Sequence, residues 1–265
     1  MYKIKINGYM PGYSGDPRYA FSADYPEQVS VSFDNINFDP DAKYNVLVQC
    51  EPPKLYIDFY GMVQQNYQHF DLILAYDERL LTLPNSQEFC PVGTWVDGMQ
   101  LNKRDQITFL MSSKIWTNEH RMRFMIMHNY QDKSKIGNFE FLMHRNPPAV
   151  PSKNPFFENA KFHIACENQV MNNMYSEKLL DCFKTKTVPI YYGCQNIHKY
   201  FNPKGILQFN TFQELQNILN RLHPDMYEDM LPYVEENYEL CRPYWENSIN
   251  QRIEKTIQKR FFDEN

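Results

Sequence analysis

Short apolar runs separated by polar, turn-forming stretches set the rhythm of this chain. Tyr2–Ile6 alternates with the period of two that a strand shows, and Gly8, Pro11, Gly12, Gly15 and Pro17 then mark a long loop. Tyr44–Gln49 (YNVLVQ) and Phe70–Tyr76 (FDLILAY) are short continuous apolar runs, the pattern of strands buried on both faces. The stretch between them has room for a short helix. Asn102–Gln106 (NKRDQ) is a polar break, and Ile107–Met111 after it reads as a strand again. We place a domain boundary there, expecting an N-terminal α/β domain over 1–105 and a C-terminal α/β domain over 106–265 that includes the terminal helices.

The second half alternates strand and helix. Arg121–Met127 reads as a helix, Phe162–Cys166 as a strand, Glu177–Phe183 as a helix, Val188–Tyr192 as a buried strand and Gly205–Phe209 as a last strand. Two or three helices then close the chain. Such alternation predicts a mostly parallel sheet covered on both faces. The expected fold class is α/β, with two Rossmann-type halves and a cleft between them. Near the C-terminus Trp245, Ile249, Ile253, Ile257 and Phe261 recur every four residues among Arg252, Lys255, Lys259 and Arg260. A terminal helix docked by its apolar stripe is the expected reading. A membrane-surface helix is the other, which limits membrane contact to a peripheral one through this segment.

Composition narrows the functional classes. With 265 residues, 43% of them hydrophobic and 15% aromatic, the chain can build a sizeable core and is not a disordered one. A formal net charge of −5 argues against a nucleic-acid partner held by phosphate neutralisation. The six cysteines form no CxxC pair, and no Asn-x-Ser/Thr sequon occurs, so reduced thiols and a cytoplasmic setting are expected. No apolar run approaches the roughly 18 residues of a membrane span, and no single-pass anchor is expected. The glycines spell neither GxxxxGK[ST] nor GxGxxG, and GxSxG is absent, which disfavours P-loop, Rossmann redox and triad-hydrolase chemistry. The one Asp-x-Asp, Asp39-Pro40-Asp41, precedes its strand instead of ending one and reads as a turn, so no metal site is expected.

The densest chemical constellation is 162–193, FHIACENQVMNNMYSEKLLDCFKTKTVPIYYG. A strand ends in Glu167 and Asn168, a polar loop follows, and Ser176-Glu177-Lys178 opens a helix. Polar groups beyond the C-terminal end of a parallel strand sit where open α/β sheets bind ligands. A lysine in a helix's first turn opposes the dipole and favours an anion there, which the free N–H groups of that turn would share. Taken alone, Ser176 is also an ordinary N-cap and Glu177 an ordinary first-turn acid.

This stretch resembles the donor-binding signature of glycosyltransferase family 10, the α1,3/4-fucosyltransferases, "F-x-I-x-x-E-N … T-E-K-L-x-D … V-P-I-Y-x-G". The matching residues are Phe162, Ile164, Glu167-Asn168, Ser176-Glu177-Lys178-Leu179, Asp181 and Val188-Pro189-Ile190-Tyr191-Tyr192-Gly193. Ser176 stands where the family has Thr. Met174 replaces an aromatic that bacterial relatives carry near the donor, and Tyr175 follows it. Upstream, Ser112-Ser113-Lys114 and His120-Arg121-Met122-Arg123 are similar to the family's S-x-K … H-x-L-R element. Cys50-Glu51-Pro52, Phe70-Asp71-Leu72 and Tyr76-Asp77-Glu78 are similar, more loosely, to its acceptor-domain pattern.

The resemblance implies a GT-B-like fold and an inverting transfer of L-fucose from GDP-fucose to a GlcNAc- or glucose-type hydroxyl of a glycan. Other nucleotide sugars and a non-catalytic glycan-binding role are the alternatives. It implies Glu51 as catalytic base, and Glu177 is expected as a second catalytic carboxylate that supports an oxocarbenium-like centre, by analogy with glycoside hydrolysis. Arg123, Glu167, Asn168, Tyr175, Ser176 and Lys178 would form the donor site. Two cations can stabilise a departing diphosphate in place of a divalent metal, so no cofactor is expected. The expected partners are therefore the nucleotide sugar and a glycan acceptor.

Overall fold

A computed structural model of the chain describes residues 1–7, 21–53, 55, 58–97, 101–146 and 150–263. In chain order the first strands are β1 (Tyr2–Lys3), β2 (Lys5–Asn7), β3 (Asp24–Tyr25), β4 (Val29–Phe33) and β5 (Tyr44–Val48). Helix α1 (Phe59–Asn66), β6 (Leu72–Ala75), β7 (Ser86–Glu88), β8 (Arg104–Ser112) and α2 (Asn118–Tyr130) follow. Then come β9 (Lys135–Ile136), β10 (Phe139–Asn146), β11 (Ala160–Cys166), α3 (Glu177–Lys184), β12 (Val188–Tyr192) and β13 (Leu207–Gln208). Helices α4 (Phe212–Arg221), α5 (Asp225–Cys241), α6 (Pro243–Glu246) and α7 (Ile249–Phe261) close the chain. No helix among the described residues is long and apolar enough to cross a membrane.

These elements form two compact units. The first comprises Met1–Val92, Asn172–Met174 and Tyr244–Asn265; the second comprises Gly93–Met171 and Tyr175–Pro243. The division differs from the expected 1–105 and 106–265. The chain changes unit after Val92, and the polar run at Asn102–Gln106 is partly strand. Arg104 pairs with Ala160 and Gln106 with Glu140, and Asp105 meets the Lys161 ammonium at 2.8 Å. Polarity here marks the solvated end of a strand, not a linker. The long loop expected from Gly8 to Pro17 lies outside the described residues.

The first unit is a parallel sheet in the order β2-β4-β5-β6-β7. The expected Tyr2–Ile6 strand is split, because Tyr2–Lys3 pairs antiparallel with β3 in a separate ribbon while Lys5–Asn7 joins the main sheet. Side-chain alternation sends Val46, Val48, Leu72 and Leu74 into one core cluster and Leu47, Ile73 and Ala75 into another, where Phe59 and Val63 of α1 cover them. Ile253 and Ile257 of α7 complete the former cluster and are fully buried. The Glu254 carboxylate beside them accepts from the backbone N–H groups of Ser22 and Ala23. The apolar stripe is thus occupied by this unit's own core. That corrects both the assignment of the terminal helix to the C-terminal domain and the membrane-surface reading. Trp245 lies in α6, so the helical stripe begins at Ile249.

The second unit is a sheet in the order β13-β12-β11-β8-β10-β9, parallel except for β9. From β8 the chain passes through α2 to β10 on one side; from β11 it passes through α3 to β12 on the other. The strand order therefore reverses between β8 and β11, and their C-terminal ends form a topological switch point.

Candidate active site

The residues singled out in 162–193 converge on this switch point because β11 ends there and α3 starts there. Glu167, the first residue past β11, is only 1% exposed. Its N–H extends the ladder to the Tyr192 carbonyl at 2.8 Å. Its carboxylate accepts from the Ser176 backbone N–H at 2.8 Å and from the Ser176 hydroxyl at 2.5 Å. Tyr191 Oη donates to it at 3.4 Å. Burial pushes the Glu167 carboxyl above its ordinary value, against the pull of Lys178. Glu167 therefore acts through Ser176. It fixes the residue whose Oγ caps α3 by accepting from the Lys178 N–H.

On the opposite flank Thr117 and His120 form a capping box at the start of α2. The Thr117 hydroxyl donates to the Asn168 carbonyl at 2.7 Å. His120 Nδ1 accepts from the Thr117 N–H, so the ring proton sits on Nε2, 3.4 Å from Asn168 Oδ1. Burial and then the Arg123 charge hold His120 below its ordinary pKa, which keeps the ring neutral. Arg123 is 3% exposed. Its Nη2 donates to the Cys166 carbonyl at 2.6 Å and to Asn168 Oδ1 at 2.8 Å. Both acceptors are neutral, so the guanidinium charge is committed to no carboxylate by these bonds.

At the first turn of α3 the Lys178 ammonium lies 2.9 Å from Glu177 Oε1, 3.1 Å from Ser176 Oγ and 3.8 Å from Glu167 Oε2. Burial opposes its charge, but Glu177 and Glu167 outweigh that and raise it above the ordinary lysine value. Burial also works against a charged Glu177, yet Lys178 and Lys153 prevail and bring its carboxyl down to about 2. Further along α3, Asp181 Oδ1 accepts the Trp95 N–H at 2.7 Å, which gives the Asp of the motif a structural task.

Tyr175 departs from expectation. Its ring is 1% exposed and packs on Tyr200 and Phe201, with centroids 5.1 and 5.2 Å away. It is a core aromatic and not a donor-facing one.

Glu51 belongs to the first unit, just beyond β5. Asp34, in the left-handed region at φ 48°, accepts from the Cys50 N–H at 2.7 Å and the Glu51 N–H at 3.0 Å. The Tyr76 hydroxyl donates to the Cys50 carbonyl at 3.1 Å. The turn bearing Glu51 is thus built by side chains from the ends of β4 and β6. Burial lifts the Asp34 carboxyl to about 7, against the two N–H donors.

Sequence reasoning missed Asp34, Lys153 and the backbone task of Asp181. Only Asp34 carried a local signal, an Asp-Asn pair after the alternating stretch Val29–Phe33, where short polar side chains tolerate positive φ.

Residues 101–257 match the profile of Glycosyltransferase family 10 (fucosyltransferase) C-term. The chain is 31% identical over 87 residues to the alpha-(1,3)-fucosyltransferase FucT of Helicobacter pylori, a stretch covering 31% of this chain and 18% of that protein. It is 32% identical over 68 residues to an alpha-(1,4)-fucosyltransferase of Arabidopsis thaliana, covering 24% and 17% respectively. These matches span under a fifth of either relative's length. Its fold resembles that of an alpha1,3-fucosyltransferase solved with GDP-fucose, with a TM-score of 0.55 at 16% identity over 89% of this chain and 78% of that one. That likeness places the α/β architecture among GT-B-type folds. With the family profile covering more than half of its length, the chain belongs to glycosyltransferase family 10.

Proposed function

We propose that this chain transfers L-fucose from GDP-fucose to a hydroxyl of a GlcNAc- or glucose-type glycan, with inversion at the sugar carbon. The observation that carries this reading is the set of cations at the switch point, Arg123 and Lys178 beside the capped N-terminus of α3. Two cations suit a departing diphosphate, Arg123 by its planar fork and Lys178 as a point charge, and the positive end of the α3 dipole adds to them. The alpha1,3-fucosyltransferase of like fold was solved with GDP-fucose, which supports a guanine nucleotide as donor.

Glu51 removes the proton of the acceptor hydroxyl as its oxygen attacks the anomeric carbon. The bond from that carbon to the diphosphate oxygen breaks on the opposite face, so a β-linked donor yields an α-linked product. Arg123 and Lys178 take up the charge that develops on the diphosphate. Glu177, held near 2, is too weak a base for the hydroxyl at neutral pH. Its lasting negative charge instead supports an oxocarbenium-like centre. Because the side chains carry the electrostatic load, turnover persists in EDTA.

Glu51→Gln tests the base assignment. Turnover falls about 10²–10⁴-fold, the range for a positioned general base, while GDP affinity is unchanged. Unaltered turnover would remove Glu51 from this role, and a β-linked product by NMR would contradict inversion.

A further inference from the structure

We propose that Lys153 is a third cation of the donor site, engaging the diphosphate of the nucleotide, with the exposed Trp95 ring as the surface that positions it. This inference rests on the nucleotide-sugar reading above and adds residues outside the motifs that led to it.

Lys153 lies just before a 3-10 turn, Asn154–Phe156. Its ammonium is 3.9 Å from Glu177 Oε1, the same oxygen that Lys178 approaches at 2.9 Å. At 3.9 Å the contact is an ion pair beyond hydrogen-bond distance, so the Lys153 protons are not committed to Glu177. The Lys153 ammonium also sits 4.8 Å from the centroid of the Trp95 ring. Trp95 is 68% exposed, an unusual place for a large indole, yet its backbone is pinned to α3 through Asp181. A fixed aromatic face attracts a cation without neutralising it.

The ion pairs show why a third cation fits. Lys178 is shared between Glu177 and Glu167, so its charge is largely balanced before any ligand is present, whereas Lys153 brings further positive charge to the same Glu177 oxygen. A nucleoside diphosphate brings at least two negative charges. Lys178 alone, already shared with two carboxylates, attracts that anion less than Lys178 and Lys153 together. Glu177 serves as the temporary counter-ion that holds both lysines in place until the phosphates arrive.

The test is calorimetric binding of GDP and GMP to the full chain and to Lys153→Ala, Lys153→Arg, Trp95→Ala and Lys178→Ala. Lys153→Ala weakens GDP about tenfold and GMP less than about threefold, because a charge-assisted contact to the second phosphate is lost. Lys153→Arg keeps GDP affinity within about threefold, and Trp95→Ala narrows the preference for GDP over GMP by about threefold. GDP affinity unchanged in Lys153→Ala but lost in Lys178→Ala would overturn this inference while leaving the donor site standing. Equal losses of GDP and GMP in Lys153→Ala would overturn it too, assigning the lysine to fold integrity. Failure of the unaltered chain to bind GDP would overturn the donor-site reading, and this inference with it.

Discussion

Gly193→Ala is the perturbation that probes how the donor site is held together. Gly193 directly follows β12, and its φ lies outside the left-handed region, so an alanine backbone fits. The added methyl does not. It would stand 2.5 Å from Glu167 Cγ and 2.5 Å from Tyr191 Cζ, and it would also overlap the Tyr191 hydroxyl. Neither neighbour can retreat, since Glu167 and Tyr191 are both buried and Tyr191 Oη accepts the Cys194 N–H at 3.0 Å. Overpacking of this kind costs about 1–3 kcal/mol. Moving Glu167 instead would strain charge-assisted hydrogen bonds to Ser176 worth about 1.5–3 kcal/mol each, so the loss is shared between them. Urea denaturation of the variant should show that loss, and GDP affinity measured by calorimetry should fall by about tenfold or more as the start of α3 shifts. A less stable variant with unchanged GDP affinity would refute the claim that Glu167 positions Ser176 and Lys178. Undiminished stability would refute the close approach itself.

Asp34 has a folded-state pKa of about 7 against an ordinary 3.8, so folding favours its protonated form. Its contribution is therefore complete below about pH 4 and is lost as pH rises through 7, by at most about 4 kcal/mol. Urea midpoints from pH 4 to 8 should decline less steeply in Asp34→Asn, and parallel profiles would contradict this. His163 is depressed to about 3 by burial, so its contribution is present above about 6.5 and lost as pH falls towards 3. Thr108 donates its one hydroxyl proton to the Phe156 carbonyl, so His163 Nδ1–H donates to Thr108 Oγ1 at 2.8 Å. His163→Gln should lower stability near neutrality and flatten the acid limb; an unchanged acid limb would exclude His163 as its source. Ile257→Ala should destabilise the first unit by about 2–5 kcal/mol, as for other buried aliphatic truncations. Hydrogen exchange in β4–β6 should then accelerate, whereas acceleration confined to α7 would contradict the shared core.

Much of the second unit was legible because its elements are short, strongly apolar and bounded by polar turns. Val188–Tyr192 was read with the limits it has, and Glu177–Phe183 falls short of α3 by one residue. The α2 segment was read three residues short at each end, since Asn118 to His120 carry no apolar periodicity and depend on the Thr117 cap. β10 escaped notice because Phe139–Asn146 mixes charged and apolar residues with a largely exposed second half. β4 escaped because Ser30 and Ser32 interrupt its apolar run, although both are buried in a sheet covered on two sides. The chemical residues of the donor motif were legible as a pattern, but their division of labour was not. Whether Glu167 meets a ligand or Ser176, and whether Tyr175 faces a sugar or Phe201, depends on chain reversal at the switch point, which no local pattern encodes. Lys153 and Asp34 act through space on residues 24 and 17 positions away, on Glu177 and Glu51.

The central claim is that Arg123, Lys178 and the start of α3 form a nucleotide-diphosphate site. Calorimetry with GDP, UDP and CMP, using Lys178→Ala as the comparison, tests it most directly. Micromolar binding of GDP over UDP and CMP, lost in the variant, is the predicted result. Preference for UDP or CMP would overturn the fucose donor, and absence of nucleotide binding would contradict the site.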